Sequence, residues 1–209
     1  MMEFEAFPKI ARLNRNCTIT EKIDGTNAAV LIEDATDDVG AVFAPAPNGY
    51  VDCVKVWVSD RLYIVQAQSR KRLITPGKGT DNSGFAAWVY DNAEELVATL
   101  GEGRHFGEWW GQGIQRGYGL DHKRFSLFNS LRWKELRSPL VHVVPTLYVG
   151  PFDSRVIDEE VRCLRDFGSQ AAPGFQPAEG VVVYHHASRE YAKVTCVNDE
   201  KPKGQVDDG

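Results

Sequence analysis

EKIDGTN, residues 21–27, sits inside the longer run CTITEKIDGTNAAVLIED, residues 17–34. Apolar and β-branched residues alternate on both sides of it, so residues 17–33 predict strand, turn, strand, with the bend at EKIDGT. Asp24-Gly25 suits such a bend, because glycine reaches the positive φ that a tight turn needs. Lys22 is not accounted for by a turn. Lysine at a bend is ordinarily a solvated surface residue, and a lone Lys-x-Asp-Gly string carries little weight. Its meaning depends on its company.

Downstream, residues 34–52 are rich in Asp, Pro, Ala and Gly and predict a surface excursion. VKVWV (54–58) and LYIVQAQS (62–69) read as strands, and TPGKGTDNSG (75–84) as a loop. In FAAWVYDNAEELVATLG, Phe85, Trp88, Val89, Leu96, Val97 and Leu100 recur at helical spacing, with Asp81 or Ser83 as cap and Gly101 as stop. RHFGEWWGQG (104–113) predicts a strand running into a Gly-rich loop, and RFSLFNSLRW and LVHVVPTLYVG predict further strands. DSRVIDEEVRCLRDFG (153–168) is an amphipathic helix capped by Asp153 or Ser154 and ended by Gly168. EGVVVYHH and YAKVTCV form two last strands, and KPKGQVDDG (201–209) a flexible tail. Without repeats or a linker between two cores, the pattern predicts one α+β domain dominated by antiparallel strands.

With 43% hydrophobic and 25% charged residues, the composition is that of an ordinary globular chain long enough to bury a core. No apolar run is long enough to span a membrane, and the N-terminus is too polar for a secretory signal. Cys17, Cys53, Cys163 and Cys196 are scattered with no CxxC pair, which fits reduced thiols and a cytoplasmic location. A net charge of −5 argues against a broad electrostatic grip on nucleic acid, although Arg70, Lys71 and Arg72, and later Arg116, Lys123 and Arg124, make local basic clusters. His185 and His186 are adjacent, so on a strand they point to opposite faces and do not form a metal pair.

Five further motifs follow Lys22 in order: Gln68-Ser69-Arg70-Lys71-Arg72, Phe106-Gly107-Glu108-Trp109, Phe125-Ser126-Leu127-Phe128, Glu179-Gly180-Val181-Val182-Val183 and Tyr191-Ala192-Lys193-Val194. With these the chain resembles the covalent nucleotidyltransferases, the nucleic-acid ligases and RNA capping enzymes. EKIDGTN is most similar to the phage-type RNA ligase branch that seals nicks in duplex RNA. The resemblance covers residues 21–195 and implies an antiparallel-sheet-rich, ATP-grasp-like nucleotidyltransferase domain with flanking helices over residues 1–200, with no C-terminal domain.

The resemblance also implies roles. Lys22 is the nucleophile that takes AMP from ATP, and an amine attacks phosphorus only as the free base, which neighbouring cations or a bound metal favour. Glu179 holds a divalent cation, Mg²⁺ or Mn²⁺, or orients the Lys22 amine. Lys193 binds phosphate. Glu21, Ile23 and Asn27 belong to the nucleotide pocket with Arg70, for which Arg72 is the rival. Glu108 accepts from ribose hydroxyls. Phe128 stacks on the adenine, or Phe125 does.

Two departures stand out. The family's last motif usually carries two lysines, and Lys193-Val194-Thr195 supplies one. Either Thr195 replaces the second lysine or Tyr191 replaces the first. The chain also ends soon after this motif, so the resemblance points to a partner that supplies RNA docking. The expected function is ATP-dependent joining of 5′-phosphate and 3′-hydroxyl RNA ends, nicked duplex or single-stranded, in RNA repair. A DNA ligase, a GTP-using capping enzyme and a non-catalytic nucleotide- or RNA-binding relative are the alternatives.

Overall fold

A computed structural model describes residues 3–7, 9–43 and 52–197, so the predicted tail and part of the 34–52 excursion lie outside the described residues. The chain runs β1 (Asn16–Lys22), β2 (Thr26–Asp34), α1 (Val39–Val42), β3 (Val54–Val58), β4 (Arg61–Ser69), β5 (Leu73–Ile74), α2 (Phe85–Asp91), α3 (Ala93–Leu100), β6 (Gly103–Gly111), β7 (Lys123–Leu127), β8 (Val141–Val143), β9 (Thr146–Pro151), α4 (Ser154–Phe167), β10 (Gly180–His185) and β11 (Glu190–Thr195). The fold is the antiparallel-rich α+β arrangement that the sequence predicts. It divides into two compact units, Asp24–Val143 and the two segments that flank it, Met1–Ile23 and Val144–Gly209.

The flanking segments build a four-stranded antiparallel sheet in the order β11-β10-β1-β9. Because side chains alternate along a strand, β1 sends Cys17, Ile19 and Glu21 to one face and Thr18, Thr20 and Lys22 to the other. The first face is the core face: Cys17, Ile19, Val181 and Val183 pack with Ile157, Val161 and Leu164 of α4. Asp153 caps α4 by accepting the Arg155 N–H at 2.9 Å.

Residues 24–143 build a second sheet, β3-β4-β2-β6-β7-β8, with β5 on β4 and one parallel pair among the described residues, β7–β8. Alternation again divides its faces. Ala28, Val30, Ile32, Val65, Ala67, Trp109, Phe125 and Leu127 meet Phe85, Val89, Leu96 and Val97 of α2 and α3 in one buried cluster. The even positions of β6 and β7 and the odd positions of β2 occupy the opposite face.

Three local expectations are corrected. β1 and β2 do not pair as a hairpin; they belong to different sheets. Nor does Gly25 occupy the positive-φ region. A Cβ there would lie 2.5 Å from the Trp109 carbonyl oxygen and 2.7 Å from Trp110 Cβ, so glycine is needed for close approach to β6. The helix predicted over 85–100 is two helices. Asn92 donates its side-chain N–H to the Trp88 carbonyl at 2.7 Å and so closes α2, the competition with backbone bonding that asparagine favours. Asp81 rather than Ser83 caps this region, accepting from the Ala86 and Ala87 N–H groups at 2.7 and 3.1 Å.

Candidate active site

Lys22 is the last residue of β1 and is level with Gly180 of β10, which is level in turn with Thr195 of β11. Its Nζ lies 2.7 Å from Glu179 Oε1, with the lysine side chain 22% exposed and the glutamate 5%. A buried carboxylate therefore holds a partly accessible amine at a strand end. Gly180 makes this possible: a Cβ at its φ of +152° would fall 2.1 Å from the Val194 carbonyl oxygen. β11 can then close on β10 beside Lys22.

Lys193 sits one row away, opposite Val182, which is opposite Thr20. It is exposed and projects on the same face as Lys22 and Thr195. Of the last motif, Thr195 shares the row of Lys22 and Lys193 does not. Ile23 follows β1 and is buried.

Glu21 points to the opposite face. Although only 1% exposed, it is fully engaged. Oε1 accepts the Ser169 hydroxyl at 2.5 Å, and Oε2 accepts the N–H groups of Gln170 and Ala171 at 2.9 and 2.8 Å. Burial pushes its carboxyl above the usual carboxylate range, and the donors from Ser169, Ala171 and Gln170 pull against that. Its carboxylate thus anchors the loop after α4, a use that the sequence reading did not foresee.

In residues 24–143, Asn27 on β2 is level with Glu108 on β6, and Glu108 with Ser126 on β7. Phe128 continues this ladder, its N–H donating to the Phe106 carbonyl at 3.0 Å. Phe128 is 36% exposed and on the face of Glu108 and Asn27. Phe125 is on the reverse face, fully buried, its ring 5.2 Å from Phe85 and 5.8 Å from Trp88. Arg70 directly follows Ser69, the partner of Ala28, and is exposed. Arg72 instead donates to the Gly79 carbonyl and accepts the Ser69 N–H, so it shapes its own loop.

The Lys-x-Asp-Gly string has partners that sequence reading missed. Glu108 Oε1 accepts the Gly25 N–H at 3.2 Å. The Asp24 N–H donates to the Tyr118 hydroxyl at 2.7 Å, and the Asp24 carboxylate accepts from Arg116 Nε at 2.9 Å. Tyr118 is buried edge-on against Trp110 and has a positive φ between Gly117 and Gly119. The Gly-rich loop after FGEWWG is the signal that could have marked these residues, since its glycines flank a buried tyrosine held at positive φ.

For a divalent cation the chain offers Glu179, and the described residues contain no cluster of three or more His, Cys, Asp or Glu side chains fit to hold a metal. A single carboxylate fits Mg²⁺ or Mn²⁺ nonetheless, because such ions keep water and take phosphate oxygens. Among the described residues no helix is long and apolar enough to cross a membrane.

The profile of the family described as RNA ligase matches residues 15–196. No curated protein matches the chain. Solved structures of Naegleria gruberi RNA ligase share the fold. A mutant with AMP and Mn superposes with a TM-score of 0.54 at 15% identity, over 88% of this chain and 50% of that one. A mutant with ATP and Mn gives 0.53 at 15% identity, over 87% and 49%. The chain spans about half the length of these structures. Since the family match takes in nearly all of the described residues, the chain belongs to the RNA ligase family.

Proposed function

We propose that this chain is an ATP-dependent RNA ligase whose nucleotidyltransferase domain is residues 1–200 and whose nucleophile is Lys22. The observation that carries the reading is the Lys22–Glu179 pair at the end of β1. Attack on the α-phosphorus requires Nζ to lose a proton, and Glu179 Oε1 stands within proton-transfer distance. The N–P bond forms as the bond to pyrophosphate breaks, leaving AMP on Lys22. AMP then passes to a 5′-phosphate, and a 3′-hydroxyl displaces it as the strands join.

Asn27, Arg70, Glu108 and Phe128 bind the nucleotide in this proposal. The shared face of Asn27, Glu108 and Phe128 supports it, as does the burial of Phe125 in the core. Glu108 bonds the Gly25 N–H and so also fixes the turn that follows the nucleophile. Lys193, exposed on the Lys22 face, supplies positive charge to phosphate. A divalent cation held by Glu179 would neutralise phosphate charge when bound.

The test is incubation with α-labelled ATP and Mg²⁺, then denaturing electrophoresis. Label that stays with the chain and requires ATP supports the reading. Label only from GTP points to capping chemistry, and no label from either contradicts the proposal.

A further inference from the structure

The face of the four-stranded sheet that bears Lys22 continues beyond the nucleophile. One row from Lys22 are Thr20, Val182 and Lys193, and the next row is Thr18, Tyr184 and Tyr191, with Val149 at its β9 end. Tyr184 and Tyr191 have ring centroids 4.7 Å apart at 36°, and the His186 ring lies 5.4 Å from Tyr184 while its Nε2 bonds the Thr18 hydroxyl oxygen at 2.9 Å. A strand face ordinarily hides such rings, yet Tyr191 is 70% exposed. In β11 and the turn before it, the exposed cations Arg189 and Lys193 stand two residues either side of Tyr191, Lys193 on its face of the sheet. Glu190 is paired with His185, on the opposite face.

We infer that Tyr184 and Tyr191 form a platform on which bases of a single-stranded RNA end stack, with Lys193 meeting the backbone on the way to Lys22. Three observations select RNA as the occupant. The rings are continuous with the Lys22 row on one face; the ionic residues of β1, β10 and β11 on that face, Lys22 and Lys193, are cationic; and a ring as exposed as that of Tyr191, on a sheet backed by a helix, suits bases, which all present a π-face. From the Lys22 row to the tyrosine row is four residues, about 13 Å at strand rise, a few nucleotides of a stacked strand. The inference rests on the RNA ligase reading for its choice of nucleic acid, but its test needs no catalysis.

Binding is measured by anisotropy of a fluorescein-labelled single-stranded RNA of about 12 nucleotides, within the span of comparable sites, without ATP. A second strand carries abasic positions near its end. The parent is expected to bind the abasic strand roughly five- to hundredfold more weakly, the range that base–aromatic stacking supplies. Tyr191→Leu should bind the intact strand more weakly by the same factor and no longer distinguish the two. Tyr191→Phe, which keeps the ring, should restore the distinction. Equal binding of intact RNA by parent and Tyr191→Leu overturns the platform, as does a parent that binds no RNA. A Tyr191-dependent dimer in sedimentation also overturns it, assigning the face to a second copy. Self-adenylation from labelled ATP separates the two readings: adenylation without base-dependent binding refutes the platform alone, whereas base-dependent binding without adenylation supports the platform and refutes the catalytic reading.

Discussion

In the four-stranded sheet, the charged groups at the end of β1 are held by other groups: Lys22 by Glu179, and Glu21 by Ser169, Gln170 and Ala171. In the seven-stranded sheet, Asn27 and Phe128 are set out by strand alternation, while two helices occupy the reverse face. The contrast follows from what each group must do. A nucleophile needs a fixed amine and a nearby proton acceptor, whereas a recognition residue needs an open face and a rigid strand beneath it. Changes in the first sheet should therefore disturb chemistry or folding sharply. Changes at Asn27 and Phe128 in the second should weaken affinity and leave the fold alone.

After Lys22 itself, the largest expected effect lies at Glu179. Glu179→Gln keeps the shape but cannot take a proton, and should slow self-adenylation by about 10²–10⁴-fold, the range for a lost general base. Single-turnover labelling measures it, and a rate within tenfold, or about 1.4 kcal/mol, would break the contrast.

The two phenylalanines sharpen it. Phe125→Ala should cost about 3–5 kcal/mol of stability, because it opens a cavity against Phe85 and Trp88. Phe128→Ala should leave the urea midpoint near the parent's while weakening ATP binding by about 1–3 kcal/mol. Reversed outcomes would exchange their places. Glu21→Ala leaves the buried Ser169 hydroxyl and the Gln170 and Ala171 N–H groups without their acceptor and should cost about 3 kcal/mol, read from urea unfolding; an unchanged midpoint would mean that the 169–171 loop needs no anchor.

The smallest effect is one of pH, with opposite signs in the two sheets. Burial holds His105 below the usual imidazole range, against its bond to the Gly101 carbonyl and aided by the Arg132 charge. Its contribution to stability is present above about pH 6.5 and lost as pH falls through its folded value. Glu21 is raised, so its contribution is present below about pH 4.3 and lost as pH rises through its folded value. As pH falls from about 7 to about 5, His105→Gln should gain stability relative to the parent and Glu21→Gln should lose it. Urea midpoints across that range test both signs, and parallel profiles would contradict them.

Much of this was legible locally. The cap at Asp153, the strand alternation that sends His185 towards Phe152 and His186 towards Thr18, and the order of the motifs all reside in short stretches. What was not legible depends on distant partners. Nothing near Gly25 reveals that β6 presses against it, and nothing near Glu21 announces the loop at 169–171. The pairing of β1 with β9 and β10 likewise arises far along the chain, so a local reading turned two strands of different sheets into a hairpin. Phe125 and Phe128 are three residues apart on an element that ends between them, and only the sheet register assigned them to opposite faces.

Whether Lys22 forms the covalent bond to AMP is decided by mapping the adduct. The chain is incubated with ATP and Mg²⁺ at acid-free pH, digested without acid exposure, and its peptides are sequenced by mass spectrometry. AMP is expected on the peptide containing Lys22, with no adduct in Lys22→Ala or in Lys22→Arg, whose guanidinium stays protonated. AMP on Lys193 or another residue, or an adduct that survives in Lys22→Ala, would contradict Lys22 as the nucleophile.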